Sequence, residues 1–346
     1  MDFNYGVSWR LLPSSQHKHY FGDLSVKVAM LTRGLDYGYG GHINPLVVEL
    51  RKLGVDVKIV NAGGDLRAAA YLLNHKLDVD LVHCQGSYSC PVRIKAPKVT
   101  TVHTLLKDEL HYDWALKTWL GQLPEAWTLK TSDAIISVNP ALNQGIHKIY
   151  PKAKIHTIPN AVNVTEFYGT NQKRGTFLLS GGRFIHRKNF LTLTKALQGT
   201  SLPSLQLFGD GPLRNNITRT LRPQDTILGY VPRKELIILY KTAAAYICPS
   251  LYETGPITVL EAMAARCPII CSDIPGIRVT VKDEETGLLY PPEDIDKLRY
   301  QIKRLIEDDE LRQKLAENAY RHVYENRRWE DAAKATIKVY EEVMSN

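Results

Sequence analysis

AYICPSLYETGPITVLEAMAARCPIICS, Ala245–Ser272, decides the reading of this chain. AYICP (Ala245–Pro249) is a short β-branched and aromatic run that predicts a strand. A polar loop carries Glu253 just beyond it, Gly255-Pro256 makes a turn, and a helix follows with Pro256 expected at its first position. PIICS (Pro268–Ser272) then predicts a second strand. Strand, helix and strand in so few residues form a unit of a parallel sheet.

The same alternation runs outward in both directions. FLLSG (Phe177–Gly181), LQLFG (Leu205–Gly209) and DTILG (Asp225–Gly229) predict strands before this stretch, with helices between them. Earlier still, VKVAML (Val26–Leu31), VDVKIV (Val55–Val60), VDLVHC (Val79–Cys84), KVTTVH (Lys98–His103) and DAIISV (Asp133–Val138) do the same. HINPLVVELRKLG (His42–Gly54) reads as a helix closed by glycine. Between the two series lies Ile158–Gly175, polar and aperiodic, which reads as a linker.

The fold class expected is therefore α/β, two Rossmann-like domains facing each other across a cleft. The divisions are 1–25, an irregular extension; 26–165, the first Rossmann-like domain; 166–328, the second; and 329–346, a helix that could cross back to the first domain. The length of 346 residues suits two cores rather than one.

Composition narrows the class further. Hydrophobic residues are 44% and charged residues 23%, a globular profile, and no apolar run approaches the roughly 20 residues of a membrane-spanning helix. The N-terminus lacks a signal-peptide pattern, and the five cysteines form no CxxC pair, so reduced thiols and a cytoplasmic location are expected. The formal charge of +8 points to an anionic partner. Basic residues are scattered rather than clustered with aromatics, which argues against nucleic acid and leaves a phosphorylated substrate or an anionic membrane face.

Transfer of a sugar from a nucleotide carrier places negative charge on a departing diphosphate, and fixed cations and helix N-termini can hold that charge. The amides of Ile257 and Thr258 open a helix and form such an anion site. Glu253 falls at the loop, where a sugar would sit, and Glu261 one turn deeper, where a ribose diol would sit. SGGRFIHRKN (Ser180–Asn189) places Arg183 in a loop and Lys188 at a helix start. A lysine there opposes the helix dipole, so a diphosphate contact explains it better than helix stability does. Arg187 is expected to face solvent.

With these residues in place, the chain resembles the family-4 retaining glycosyltransferases of the GT-B fold. The resemblance rests on GGRFIHRKN, FGDGPL (Phe208–Leu213), LGYVPRKEL (Leu228–Leu236), the stretch from Cys248 to Gly276, and ETGLLYPPED (Glu285–Asp294). GYGGH (Gly38–His42), TVHT (Thr101–Thr104) and IPNAVN (Ile158–Asn163) extend it into the first half. The resemblance implies a nucleotide-diphosphate-sugar donor (UDP slightly favoured over GDP), a sugar or lipid-linked acceptor hydroxyl, retention of configuration, and no metal or other cofactor.

It also implies roles. Arg183 and Lys188 would bind the diphosphate, Glu253 the sugar hydroxyls, and Glu261 the ribose. Gly40 and Gly41 would admit the phosphate to the backbone, His103 would line the sugar pocket, and the backbone at Tyr230 and Val231 would hold the base. The sequence departs from the family pattern at Gly255, where an aromatic residue is frequent, and at Pro256, where glycine is common. A nucleotide-sugar epimerase of the same architecture and a non-catalytic nucleotide-sugar binder are the rival readings.

Three further signals have structural readings. Asp78-Val79-Asp80 has the spelling of a metal-binding DxD, but it precedes a strand and reads as the turn leading into it. Tyr112–Lys130 carries Trp114, Trp119 and Trp127; Asp108, Glu109, Asp113 and Glu125 offset its lysines, which favours core and cleft packing over a membrane-facing helix. The charged helices of Lys297–Trp329 read as solvated amphipathic faces.

Overall fold

A computed structural model describes residues 26–32, 40–61, 78–87, 90, 93–113, 115–169 and 174–345. The expectation for residues 1–25 lies outside them, as does that for Trp114.

The first half builds one sheet from β1 (Lys27–Thr32), β2 (Asp56–Asn61), β3 (Leu81–Gln85), β4 (Lys98–Val102), β5 (Ala134–Ser137) and β6 (Ile155–Thr157). Its order is β2-β1-β3-β4-β5-β6, all parallel. Among its helices are α1 (Gly40–Lys52), α2 (Leu106–Tyr112), α3 (Leu116–Leu120), α4 (Gln122–Lys130) and α5 (Asn143–Ile149). Every residue of β3, β4 and β5 is buried, as expected for strands covered on both faces.

The second half repeats the plan. β7 (Phe177–Gly181), β8 (Ser204–Phe208), β9 (Thr226–Gly229), β10 (Ala245–Cys248), β11 (Ile269–Ser272) and β12 (Leu288–Tyr290) form a parallel sheet of order β12-β11-β10-β7-β8-β9. Around it lie α6 (Phe190–Leu197), α7 (Arg214–Thr218), α8 (Arg233–Thr242), α9 (Ile257–Ala264), α10 (Pro275–Arg278), α11 (Ile295–Glu307) and α12 (Asp309–Asn326). α13 (Trp329–Met344) then packs on the first sheet's side of the molecule. Its Ala333, Ile337 and Tyr340 join Ile43, Val47 and Leu50 of α1 over Val28, Met30 and Leu81.

Two strands went unread in the sequence. β6 and β12 are three residues each, too short to show alternation, and β6 is a half-exposed sheet edge. The segment read as a polar linker is also better packed than its composition suggests. Val162, Val164 and Phe167 are buried in the second half's core, while Ala161 belongs to the first.

Candidate active site

Strand order locates the site. In the second sheet the chain runs outward through β8 and β9, then returns to lay β10 on the other flank of β7. The carboxyl ends of β7 and β10 thus part at the point where the winding reverses, where doubly wound sheets leave a crevice. The loop after β7 carries Arg183 and Lys188, and the loop after β10 carries Glu253. The Lys188 Nζ donates to Glu253 Oε1 at 2.5 Å, and Ser250 Oγ donates to the same oxygen at 2.7 Å. Arg183 is exposed in the same loop as Lys188. Lys188 ends a 3-10 turn (His186–Lys188), and Asn189, in left-handed backbone with φ 51°, turns the chain into α6.

α9 begins at Ile257, and Pro256 precedes it as the capping residue rather than the first helical one. The amides of Ile257 and Thr258 still open the helix, as the anion site requires. Val259 N–H turns instead to the Pro256 carbonyl at 3.2 Å. Gly255 has φ 132°, in the region closed to most side chains, and its carbonyl accepts from Asn160 Nδ2 at 2.6 Å. That backbone conformation accounts for glycine at this departure from the family pattern.

Glu261 sits on the buried side of α9, bonded to Arg233 at the start of α8. Burial pushes its carboxyl up, against the pull of Arg233. Arg233 also holds Glu166 Oε2 at 2.8 Å, so one guanidinium joins two carboxylates. The sequence reading missed Arg233. Its signal was present in LGYVPRKEL, whose one basic pair, Arg233-Lys234, it opens. Tyr230 and Val231 follow directly on β9, with Tyr230 83% exposed.

The two halves meet at these loops. Thr254 Oγ1 donates to the His103 carbonyl at 2.5 Å, and Asn139 Nδ2 to the Gly276 carbonyl at 3.3 Å. Tyr252 Oη donates to Asp108 at 3.1 Å. Arg187, expected in solvent, instead pairs with Glu109 at 3.3 Å and Asp113 at 3.7 Å on the far side. Its backbone carbonyl also accepts from Leu251 N–H at 2.7 Å. It is a clasp between the halves, and no local pattern supplies a register by which to place the acidic partners opposite it.

His103 stands at the carboxyl end of β4, facing the Glu253 loop across the cleft. Its Nε2 lies 2.9 Å from Gln85 Oε1, so Nε2 carries the proton and Nδ1 is the acceptor. Gln85 Nε2 in turn lies 3.3 Å from His83 Nε2, which also receives Thr101 Oγ1 at 2.7 Å. His83 Nδ1 then donates to Tyr340 Oη of α13 at 2.6 Å. Burial lowers His103 to about 4 and His83 to about 3, so both rings are neutral near pH 7. A cavity of about 30 Å³ adjoins His103 and Gln85, with Asn160 and Trp329 also in its wall. Gly40 and Gly41 are the first residues of α1.

Asp78 and Asp80 lie at the opposite end of the sheet from His103. Asp78 accepts from Lys27 Nζ at 2.5 Å and Asp80 from Lys27 N–H at 2.8 Å, tying the starts of β1 and β3. Among the described residues no cluster of three or more His, Cys, Asp or Glu has metal-binding geometry, and all five cysteines are buried thiols. Trp119 and Trp127, expected in the core or cleft, are more than half exposed. Among the described residues no helix is long and apolar enough to cross a membrane.

Comparison with known proteins follows this geometry. The profile "Glycosyl transferases group 1" matches residues 166–322, and "Glycosyltransferase Family 4" matches 61–166. An uncharacterised glycosyltransferase of Methanocaldococcus jannaschii is 28% identical over 61% of this chain and 60% of its own length. The glycogen synthase of Mycobacterium tuberculosis is 26% identical over 70% of this chain and 63% of its own. The chain thus spans about three fifths of the length of these two relatives. Alpha-maltose-1-phosphate synthase of Mycolicibacterium smegmatis is 24% identical, over 92% of this chain and all of its own. Among solved structures, sucrose-phosphate synthase from Thermosynechococcus elongatus superposes with a TM-score of 0.80 at 20% identity, covering 92% of this chain and 99% of that one. Anabaena HepE in complex with UDP and glucose gives 0.75 at 15%, covering 92% and 100%. With both halves matched in order and the two-sheet architecture shared, the chain belongs to the family-4, group 1 glycosyltransferases and has the GT-B fold.

Proposed function

We propose that this protein transfers a glycosyl residue from a nucleotide-diphosphate sugar to an acceptor hydroxyl, with retention of configuration and without a metal. The observation that carries the reading is the convergence of Arg183, Lys188, Glu253 and the first amides of α9 at one reversal point of the sheet, facing His103. Two cations and a helix N-terminus suit a diphosphate, and a carboxylate beside them suits sugar hydroxyls. Glu261, with Arg233, lies deeper along α9, where the ribose would reach, and the backbone at Tyr230 and Val231 flanks the base.

In the step itself the bond from the anomeric carbon to the diphosphate oxygen breaks, and the electron pair stays on the phosphate. Arg183, Lys188 and the amides of Ile257 and Thr258 stabilise that charge as it develops. The acceptor oxygen forms its bond on the same face, and its proton passes to the departing phosphate. Glu253 orients the sugar, and neutral His103 offers hydrogen bonding without adding charge. HepE was solved with UDP and glucose, which supports UDP as the first nucleotide to try. Gly40 and Gly41 would admit the phosphates to the backbone from the opposite wall.

The test is thermal unfolding with UDP, GDP, ADP and dTDP, each with EDTA and with magnesium. A nucleotide at about 100 times its dissociation constant adds roughly 2.7 kcal/mol, an easily measured shift. A selective shift in EDTA supports the metal-free site, a shift only with magnesium overturns that part, and no shift with any nucleotide overturns the donor site.

A further inference from the structure

The helical excursion between β4 and β5 presents an apolar face that the cleft does not use. Leu116 (58% exposed), Trp119 (53%), Leu120 (54%), Leu123 (71%) and Trp127 (62%) recur at three- and four-residue intervals. α3 and α4 are joined through Gly121, whose backbone is itself helical at φ −66° and ψ −16°, so these side chains continue along one stripe. Five large apolar side chains so placed exceed the scattered exposure of an ordinary surface.

The charge on this segment is sorted by side. All four acidic residues that offset its lysines in the sequence turn inward. Asp108 receives Tyr252, and Glu109 and Asp113 bracket Arg187. Glu125 is buried, accepting from Ser87 Oγ at 2.6 Å and Leu106 N–H at 3.1 Å. Lys107 and Lys130 are exposed at the two ends of the excursion. What faces outward is thus a tryptophan- and leucine-bearing stripe flanked by cations, on a chain of formal charge +8.

We propose that this stripe docks the protein on an anionic lipid surface, with Trp119 and Trp127 in the headgroup layer and the leucines below it. Tryptophan suits that layer because its ring is apolar and its N–H remains hydrated. Lysines at the margin complement the negative surface potential, and inward-turned carboxylates remove the repulsion that the sequence alone suggested. The inward side of the same excursion touches the Tyr252–Glu253 loop, so a docked protein holds its cleft close to the lipid plane. The inference is independent of which sugar or acceptor the site uses.

The experiment is co-sedimentation of the full chain with phosphatidylcholine vesicles and with vesicles containing phosphatidylglycerol, at low and high salt. The wild type is expected to bind the anionic vesicles, more weakly in salt, with a blue shift of tryptophan emission. Trp119→Ser/Trp127→Ser is expected to lose about tenfold or more of that binding, while its thermal midpoint and nucleotide-induced shift stay unchanged. Absence of wild-type binding to either vesicle, or equal binding by the double variant, overturns the proposal. Concentration-dependent self-association that the double variant abolishes, without vesicle binding, overturns it in favour of a second copy on this face.

Discussion

Arg183 is the exposed cation of the pair, while Lys188 is already committed to Glu253 at 2.5 Å. A bound diphosphate therefore meets Arg183 with its charge available and must share Lys188 with a carboxylate. Arg183→Ala is expected to lose a charge-assisted contact of about 1.5–3 kcal/mol, or about 10–100-fold in donor turnover. An unchanged rate in initial-velocity assays would sink its diphosphate role. Glu125 supports a prediction about pH. Burial raises its carboxyl to about 7 from the usual 4.5. Between those values the folded protein holds a proton that the unfolded chain has released, so this group's contribution to stability falls as pH rises through the window. The buried His83 and His103 act in the opposite sense, losing stability as pH falls from 6.5 toward about 3 and about 4 respectively. Glu125→Gln keeps an oxygen to accept from Ser87 and Leu106 and removes only the first slope. Its melting curves are expected to match wild type near pH 4 and exceed it by about 1–2 kcal/mol at pH 8. The candidate site residues were legible because each follows a strand or opens a helix. Arg187 and Gln85 were not, since Arg187 pairs with Glu109 and Asp113 in the other half of the chain, and Gln85 meets His103 only through the pairing of β3 with β4.

At the scale of elements, α10 matters for the site although it carries no proposed ligand. A Cβ on Gly276 would lie 1.6 Å from the Glu253 carbonyl oxygen and 2.5 Å from its carbon. Only glycine lets α10 pass directly beneath the loop that aims Glu253. Gly276→Ala is expected to push that loop out of place, with a cost of about 1–3 kcal/mol in thermal unfolding and loss of the nucleotide-induced shift. A variant that melts lower but keeps the full shift would separate the helix from the site. The long elements were legible from periodicity, and the unit from β10 through α9 to β11 came out with the expected arrangement. Short elements were not, because three residues of β6 or β12 cannot display a period. The tryptophan-bearing excursion misled in a different way: counting its charges treated the helix as uniform, whereas tertiary contacts draw every acid to one side.

Across the whole molecule, the second half is continuous in sequence while the first is assembled from two distant pieces. α13 fills the face of α1 and reaches into the first sheet's interior, where Tyr340 Oη accepts from His83 Nδ1. The hydrogen-bonded series from Tyr340 through His83 and Gln85 therefore ends at His103 on the cleft wall. A variant ending at Arg328 is expected to leave Ile43, Val47 and Leu50 uncovered and to lose cooperative unfolding in its first half. Calorimetry should then show one transition, from the second half, and binding of a hydrophobic dye should rise. A single transition of wild-type enthalpy would refute the dependence. The pairing of two parallel sheets was legible from the repeated alternation of elements, but the structural part played by residues beyond Trp329 rests on contacts that no local pattern encodes.

The position of α13 also fixes an order of events during synthesis. Chains emerge from the ribosome N-terminus first and commonly fold in that order. Here the half made first is the half completed last, because its covering helix is translated only after the whole of the second half. The second half can close while the first sheet still shows an open apolar flank. A nascent chain of this protein thus waits, partly folded, for α13 to emerge, and that interval is when a chaperone has most to protect.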